Sequence, residues 1–114
     1  TLKDRANVQR MSQELGYLNG LESQAMIDAH VDSVMTLGEP FSGDPQVAFD
    51  FRDQTVSDRI RGNIGLMLNE RLCPPPEETY SLHRKFSGIF LLCARMGAQV
   101  HCAKLFRDYF AQLP

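Results

Sequence analysis

Residues 72–97, LCPPPEETYSLHRKFSGIFLLCARMG, decide the fold of this chain because they predict one long helix behind a bracket of three prolines. Pro74, Pro75 and Pro76 exclude helix before them, since each proline drives its predecessor out of the α region. Pro76 suits the first helical position, and Gly97 suits the left-handed position that ends a helix. At about 1.5 Å of rise per residue, the helix between Pro76 and Gly97 is roughly 30 Å long.

The side chains of this helix predict how it packs. Its apolar face has helical spacing and consists of Leu82, Phe86, Ile89, Phe90, Cys93 and Met96. Residues 88–94 are apolar on every side, which predicts that the helix is buried all round in its second half and is the most buried element. Glu77 and Glu78 lie in the first turn, where the helix dipole favours negative charge. Acid–base chemistry by this carboxylate pair is the weaker alternative.

The rest of the chain predicts four further helices. They lie at residues 1–15, 21–37, 55–72 and 102–113. Thr1 can cap the first of them with Asp4 three residues on, and Thr55 or Ser57 can cap the third. The last helix is expected to turn its apolar residues inward, namely Leu105, Phe106, Tyr109, Phe110 and Leu113.

Residues 41–54 are the irregular part. Val47, Phe49 and Phe51 alternate with more polar residues, as in a strand, but no second strand is evident elsewhere. We therefore predict an extended loop that places its aromatic side chains against the helices. The predicted fold class is all-α, a single domain of about five helices packed around the long central one.

Composition excludes several classes of protein. The 114 residues allow one domain, and a net charge of −2 predicts no binding to nucleic acid. The longest purely apolar stretch, residues 89–94, is far short of the ~20 residues needed to cross a bilayer. Three cysteines without CxxC spacing indicate a reducing compartment.

Motifs for catalysis and for phosphate binding are missing from the sequence. It has no GxxxxGK[ST] loop, and no glycine-rich loop, catalytic-loop aspartate or DFG of a kinase. The nearest string, at residues 50–52, has Arg52 in place of the glycine. We predict no catalytic and no cofactor-binding residue in this chain.

The histidines and cysteines give no convincing metal site. Cys93, His101 and Cys102 offer three ligands at poor spacing, so we predict no bound metal. His30 is expected to be a hydrogen-bonded histidine of the core or its boundary. His83 could titrate near neutral pH, but no nucleophile is near it in sequence. The basic run at residues 83–85 is too short for a phosphate-binding patch.

The string PPPEETYSLHRK at residues 74–85, within a longer similar stretch at 49–98, resembles the aarF-domain (UbiB-type) atypical kinases. It is most similar to the mitochondrial branch needed for ubiquinone synthesis. Residues 15–41 are similar to the part of these proteins that follows their metal-binding DFG. The motif residues singled out by the resemblance are Pro74, Pro75, Pro76, Glu77, Glu78, His83 and Arg84.

The resemblance implies a two-lobed parent protein that binds ATP and magnesium and acts as an ATPase or small-molecule kinase. It implies a location on the matrix face of the mitochondrial inner membrane. Residues 1–114 would form the distal part of the kinase-like large lobe, after the catalytic motifs. None of the family's ATP- or metal-binding residues carries over, so the chain alone would be structural and non-catalytic.

The partners implied are the upstream part of the same protein, proteins of the ubiquinone-biosynthesis complex and the inner-membrane surface. An alternative hypothesis is a helical interaction module that binds a partner protein, a lipid or a quinone intermediate. If the chain is the distal part of a larger lobe, it is expected to expose a contiguous apolar patch and to self-associate, whereas a self-contained module would stay monomeric. The predicted contributors are Val8, Met11, Leu15, Val31, Met35, Phe41, Phe49 and Phe51.

Overall fold

A computed structural model describes residues 4–52, 56–74 and 76–114, and shows six helices and two short strands among them. In chain order these are α1 (Arg5–Glu14), α2 (Gln24–Leu37), α3 (Glu39–Ser42), β1 (Phe49–Asp50), α4 (Val56–Glu70), α5 (Glu77–Met96), β2 (Gln99–Val100) and α6 (Cys102–Phe110). The predicted all-α class is confirmed, since each strand has only two residues. The additional short helix, α3, lies where α2 was predicted to stop and an irregular segment to begin.

Side-chain caps fix where the first two helices begin. The Asp4 carboxylate accepts a hydrogen bond from the Asn7 backbone N–H at 3.1 Å, so Asp4 is the N-cap of α1. The predicted capping residue Thr1 lies outside the described residues. Ser23 caps α2 by accepting from the Met26 N–H at 3.2 Å, which is why α2 begins later than predicted.

The long helix α5 ends where predicted and begins one residue later than predicted, because Pro76 precedes the helix instead of occupying its first position. Pro76 occupies the N-cap position, and Gly97 adopts the left-handed conformation with φ 60° at the C-cap. The backbone of Ser57 is already helical, so α4 begins before it, and the other predicted cap, Thr55, lies outside the described residues. The ends of α5 were thus predicted to within one residue, because the proline and glycine signals are local to a few residues.

The prediction that the segment around Phe49 has no strand partner was wrong. Strand β1 pairs antiparallel with β2, placing Phe49 opposite Val100 and Asp50 opposite Gln99. The left-handed turn at Gly97 reverses the chain and returns it alongside β1. Two residues are too few to show alternation, so β2 had no signal in the sequence.

Among the described residues, two clusters of buried hydrophobic side chains contribute to the core. The first contains Phe51, Val56, Phe90 and Cys102, with Phe41 and Phe86 among the rings packed around it. The second joins α1 to α2 and contains Val8, Ile27 and Val31. Helix α2 buries more residues than any other described element, namely Met26, Ile27, Ala29, His30, Val31, Ser33 and Thr36.

The prediction that α5 is the most buried element was therefore wrong. Phe90 is its one buried residue among those described, whereas Ile89 is 58% exposed and Leu92 is 57% exposed. Helix α5 packs through the face that carries Phe86 and Phe90, against Phe41 and other aromatic residues. No described element covers the opposite side of α5 along Ile89 and Leu92.

The position of the exposed apolar surface also differs from the prediction. Val8, Val31 and Phe51 are buried, and of the predicted contributors Met11 and Leu15 are exposed. The residues of α6 and its C-terminal end that were expected to face inward are exposed, namely Leu105, Phe106, Tyr109, Phe110 and Leu113. Most of the exposed apolar side chains thus lie on the second half of the chain rather than on the early helices.

Candidate functional site

The proline bracket before α5 is anchored on a turn formed by Gly16 and Tyr17, directly after α1. Gly16 has a φ of +86°, and a Cβ placed on it would lie 3.2 Å from Cγ of Pro76. A side chain at Gly16 would thus be both strained and crowded. Arg71 Nη1 donates to the Tyr17 carbonyl oxygen at 3.4 Å, and Cys73 Sγ lies 3.5 Å from the same oxygen.

Tyr17 is the centre of a tyrosine–histidine cluster that also contains His30 and His83. Its ring centroid lies 5.4 Å from that of His30 and 5.3 Å from that of His83, with the His83 ring stacked at an interplanar angle of 16°. The Tyr17 hydroxyl is 3.3 Å from Nε2 of His83. The cluster therefore joins the end of α1, helix α2 and helix α5.

The hydrogen bonds of His30 fix its protonated nitrogen. His30 Nε2 lies 3.0 Å from the Ser12 hydroxyl, and that hydroxyl donates its own proton to the Val8 carbonyl oxygen at 2.8 Å. Because Ser12 has already used its proton, Nε2 of His30 must be the donor in their bond. The prediction of a hydrogen-bonded core histidine is confirmed, with His30 only 3% exposed.

Both histidines of the cluster are held in the neutral form. Burial, followed by the positive charge of Arg71 and the neighbouring His83, lowers the pKa of His30 to about 4, and Glu22 opposes this weakly. Burial and then Arg71 lower the pKa of His83 as well. Both rings are neutral, and the Ser12 hydroxyl beside His30 already donates to Val8, so the cluster acts as a structural anchor. Within the described residues no buried side-chain nitrogen or oxygen lacks a hydrogen-bond partner.

Next to the cluster lies a groove of about 660 Å³ between α4 and α5, which we call the basic groove. It is lined by Ile64, Met67, Leu68, Arg71, Tyr80, His83, Arg84 and Ser87. Arg84 lies over the ring of Tyr80, with Cζ 6.0 Å from the ring centroid. The adjoining depression is lined by Ser81, Arg84 and Lys85.

Sequence reasoning missed this groove because it considered the basic run at residues 83–85 alone. The structure brings Arg71, from the residue after α4, to the same groove as Arg84. No periodicity connects these two arginines, since a proline-containing turn separates their helices. The two arginines come together in one groove only in the folded structure.

The remaining motif residues are not gathered into a site. Pro74 is exposed, Pro75 lies outside the described residues, and Pro76 contacts the turn at Gly16. Glu77 and Glu78 are exposed in the first turn of α5, as predicted. Neither glutamate has an ion-pair partner among the residues that the structure describes.

The residues considered for a metal site are brought only partly together. Cys93 packs against the core cluster that contains Cys102. Burial raises the pKa of the Cys102 thiol, and the neighbouring Cys93 raises it further. His101 is exposed at the start of α6. Among residues 4–52, 56–74 and 76–114, no three histidine, cysteine or acidic side chains are grouped so as to hold a metal ion. The helices described there include none with the length and apolar character to span a membrane.

Comparison with known proteins identifies relatives of the chain. No family model matches it. The chain is 80% identical over 111 residues to the mitochondrial atypical kinase COQ8 of Saccharomyces cerevisiae, which is 97% of this chain and 22% of that protein. It is 55% identical over 104 residues to the protein of that name in Schizosaccharomyces pombe, covering 91% of this chain and 17% of the relative. It is 48% identical over 107 residues to the mitochondrial atypical kinase COQ8B of Danio rerio, covering 94% of this chain and 17% of the relative.

Identity at this level over nearly the whole chain defines the class of protein, which is that of the atypical kinases. The chain belongs to the COQ8 (UbiB-type) family of that class, which confirms the resemblance carried by the motif at residues 74–85. It spans about one fifth of the length of the curated relatives that it matches.

Proposed function

We propose that this chain is the C-terminal portion of a mitochondrial atypical kinase or ATPase that supports ubiquinone biosynthesis. The observation that carries the proposal is the 80% identity to the yeast mitochondrial atypical kinase COQ8 over 97% of the chain. The parent protein would bind ATP and magnesium through residues outside this sequence, on the matrix face of the inner membrane. The chain itself would be a structural, non-catalytic part of the large lobe.

The exposed apolar residues of α5 and α6 support a structural role. On α5 they include Ile89, Leu91, Leu92 and Met96, and on α6 they include Leu105, Phe106, Tyr109 and Phe110. Apolar surface of this kind normally marks a site of contact with other protein or with membrane. Since most of the length of each relative lies outside the match, the remainder of the same protein is the partner that we propose for this surface.

A helical interaction module is the second candidate, and the basic groove is the observation that favours it. The groove is open and carries both apolar and cationic side chains, which suits a protein, lipid or quinone ligand. The two candidates differ in one measurable property. A chain that stays monomeric in light scattering and binds no apolar-surface dye would be self-contained, and would favour the module.

A chimeric protein tests the first proposal. The matching segment of the yeast kinase is replaced by this chain in cells that lack their own copy, and cellular ubiquinone is measured by chromatography. We expect ubiquinone near the wild-type level, and a strong loss when the chimera carries Phe90→Ala, which removes the buried ring of α5. A chimera that accumulates normally but supports no ubiquinone synthesis would show that the functional proposal is wrong.

A second variant of the chimera tests the non-catalytic role. Glu77→Gln combined with Glu78→Gln removes the exposed carboxylate pair without disturbing the core. We expect ATP turnover by the purified chimera to stay within about twofold, whereas loss of a general acid or base costs on the order of 10²–10⁴-fold. A loss of that size with unchanged thermal stability would place catalysis in this chain.

A further inference from the structure

The lysine and arginine side chains that the structure describes fall into two groups. Six form an ion pair with a carboxylate, namely Arg5, Arg10, Arg52, Arg59, Arg61 and Lys104. Five have no such partner in the described part of the chain, namely Arg71, Arg84, Lys85, Arg95 and Arg107. Arg71 and Arg84 line the basic groove, and Lys85 lines the depression beside it. Positive charge that is not neutralised is thus concentrated at one place between α4 and α5.

The same groove has an apolar wall. Ile64, Met67 and Leu68 form it from the side of α4, and Leu68 is 74% exposed. On the α5 side Tyr80 presents a half-exposed ring beneath the Arg84 guanidinium. A small inorganic anion would use the cations and leave this apolar wall in water. The combination instead matches a ligand that carries apolar groups and carboxylates on one surface.

We propose that the basic groove binds an acidic amphipathic helix from a partner protein. Its apolar side chains would cover Ile64 and Leu68, which is how helices bind in grooves between two other helices. Its carboxylates would pair with Arg71, Arg84 and Lys85, and the planar guanidinium groups of the arginines favour two-pronged contact with a carboxylate. The groove needs no catalytic role for the chain, so the inference is independent of the first function proposed above; it rests on the second candidate, the helical interaction module, and names the class of its ligand.

Peptide binding to the full-length protein that carries this chain tests the proposal. The probe is a fluorescein-labelled designed helix with leucines at i, i+3, i+4 and i+7 and glutamates on both flanks of that stripe. Fluorescence anisotropy should show saturable binding that weakens with salt, because exposed charge pairs are screened. A matched peptide with lysine in place of every glutamate should bind at least about tenfold more weakly, since like charges would then face each other.

Charge-reversal variants locate the binding site. Arg84→Glu and Lys85→Glu should each weaken the acidic peptide about tenfold or more, and Leu68→Ser should weaken it through the apolar wall. The control is Arg95→Glu, the same change of charge at an exposed arginine in the last turn of α5, outside the groove. It should change affinity by less than about twofold. Equal effects of Arg84→Glu and Arg95→Glu would show that net charge alone attracts the peptide, and would overturn the proposal.

Two other outcomes would also overturn it. If phosphatidylglycerol vesicles bind in an Arg84-dependent way while the peptide does not, the occupant is a membrane surface. If a cysteine introduced by Leu68→Cys resists maleimide labelling in the folded full-length protein, as read by mass spectrometry, the groove is already covered by its own protein. Ready labelling at this position, together with protection by the acidic peptide, is the result that we expect.

Discussion

Acidification should destabilise this chain mainly through His30, and most of the effect should be absent in a His30→Gln variant. His30 is buried as the neutral form and donates from Nε2 to Ser12. Its pKa is lowered to about 4, whereas the ordinary pKa of a histidine, which represents the unfolded chain, is 6.5. Below pH 6.5 His30 therefore binds a proton in the unfolded chain but not in the folded chain, so stability falls as the pH falls.

The size of this effect follows from the two pKa values. One pKa unit corresponds to about 1.4 kcal/mol, so the difference at His30 is worth about 3 kcal/mol once the pH is below 4. Most of this loss of stability occurs at higher pH, since the free energy of unfolding should drop by about 2 kcal/mol between pH 7 and pH 5. The lowered pKa of His83 changes stability in the same direction and adds to the loss. Stability is thus fully present above about pH 6.5 and is lost as the pH falls toward 4.

Urea unfolding followed by circular dichroism at a series of pH values measures this dependence. Glutamine at position 30 can still donate to Ser12 but cannot titrate, so His30→Gln should remove about 2 kcal/mol of the loss between pH 7 and pH 5. His101→Gln is the control, because His101 is an exposed histidine outside the cluster. A wild-type profile that is flat over this range, or one that His101→Gln flattens as much as His30→Gln, would refute burial as the cause.

Three further predictions concern stability and ligand binding. Phe90→Ala should lower the free energy of unfolding in urea by about 3–5 kcal/mol, because it empties the space between Phe51 and Phe86. Ile89→Ala, on the exposed side of α5, should lower it far less. Equal losses would mean that α5 does not pack as described. Gly97→Ala should lower the free energy of unfolding by about 1–2 kcal/mol because of the left-handed backbone at this position. The new Cβ would also lie 2.6 Å from Arg52 Cδ, and this clash should be relieved when Arg52→Ala is added. No loss of stability at all would contradict the left-handed turn. Calorimetric titration of the chain with Mg-ATP should give no saturable heat, and micromolar binding would contradict the view that all phosphate-binding residues lie outside it.

Signals local to a few residues predicted the fold well. The proline bracket and Gly97 gave both ends of α5, because a proline and a left-handed glycine act on the backbone of their own turn. Helix α2 and its core histidine were also predicted, since its apolar residues recur at helical spacing. Burial was predicted poorly for α5 and α6, because an apolar side chain is covered only where another element packs on it.

Contacts between distant parts of the chain could not be predicted. Strand β2 is defined by its pairing with β1 and has no pattern of its own. The basic groove depends on Arg71 and Arg84, which belong to different helices. The ring contacts of Tyr17 with His83, which is stacked on it, and with His30, which is tilted against it, likewise join three elements, and no spacing in the sequence encodes them.

The pairing of β1 with β2 has a consequence for the order of folding. Because Phe49 lies opposite Val100, the two strands close a ring of chain that contains α4 and α5. Closing a loop of roughly 50 residues costs about 3–4 kcal/mol of chain entropy. Strands of two residues form few hydrogen bonds, so their pairing offsets only part of this cost. Helix α2 packs on α4, where Asn63 Nδ2 donates to the Ser33 hydroxyl at 3.2 Å. The strand pair should therefore form after these two helices have packed together and should open before the helices unfold. In native-state hydrogen exchange, the amide of Phe51, which donates to Ala98 at 3.0 Å, should lose protection before the amides in the middle of α2.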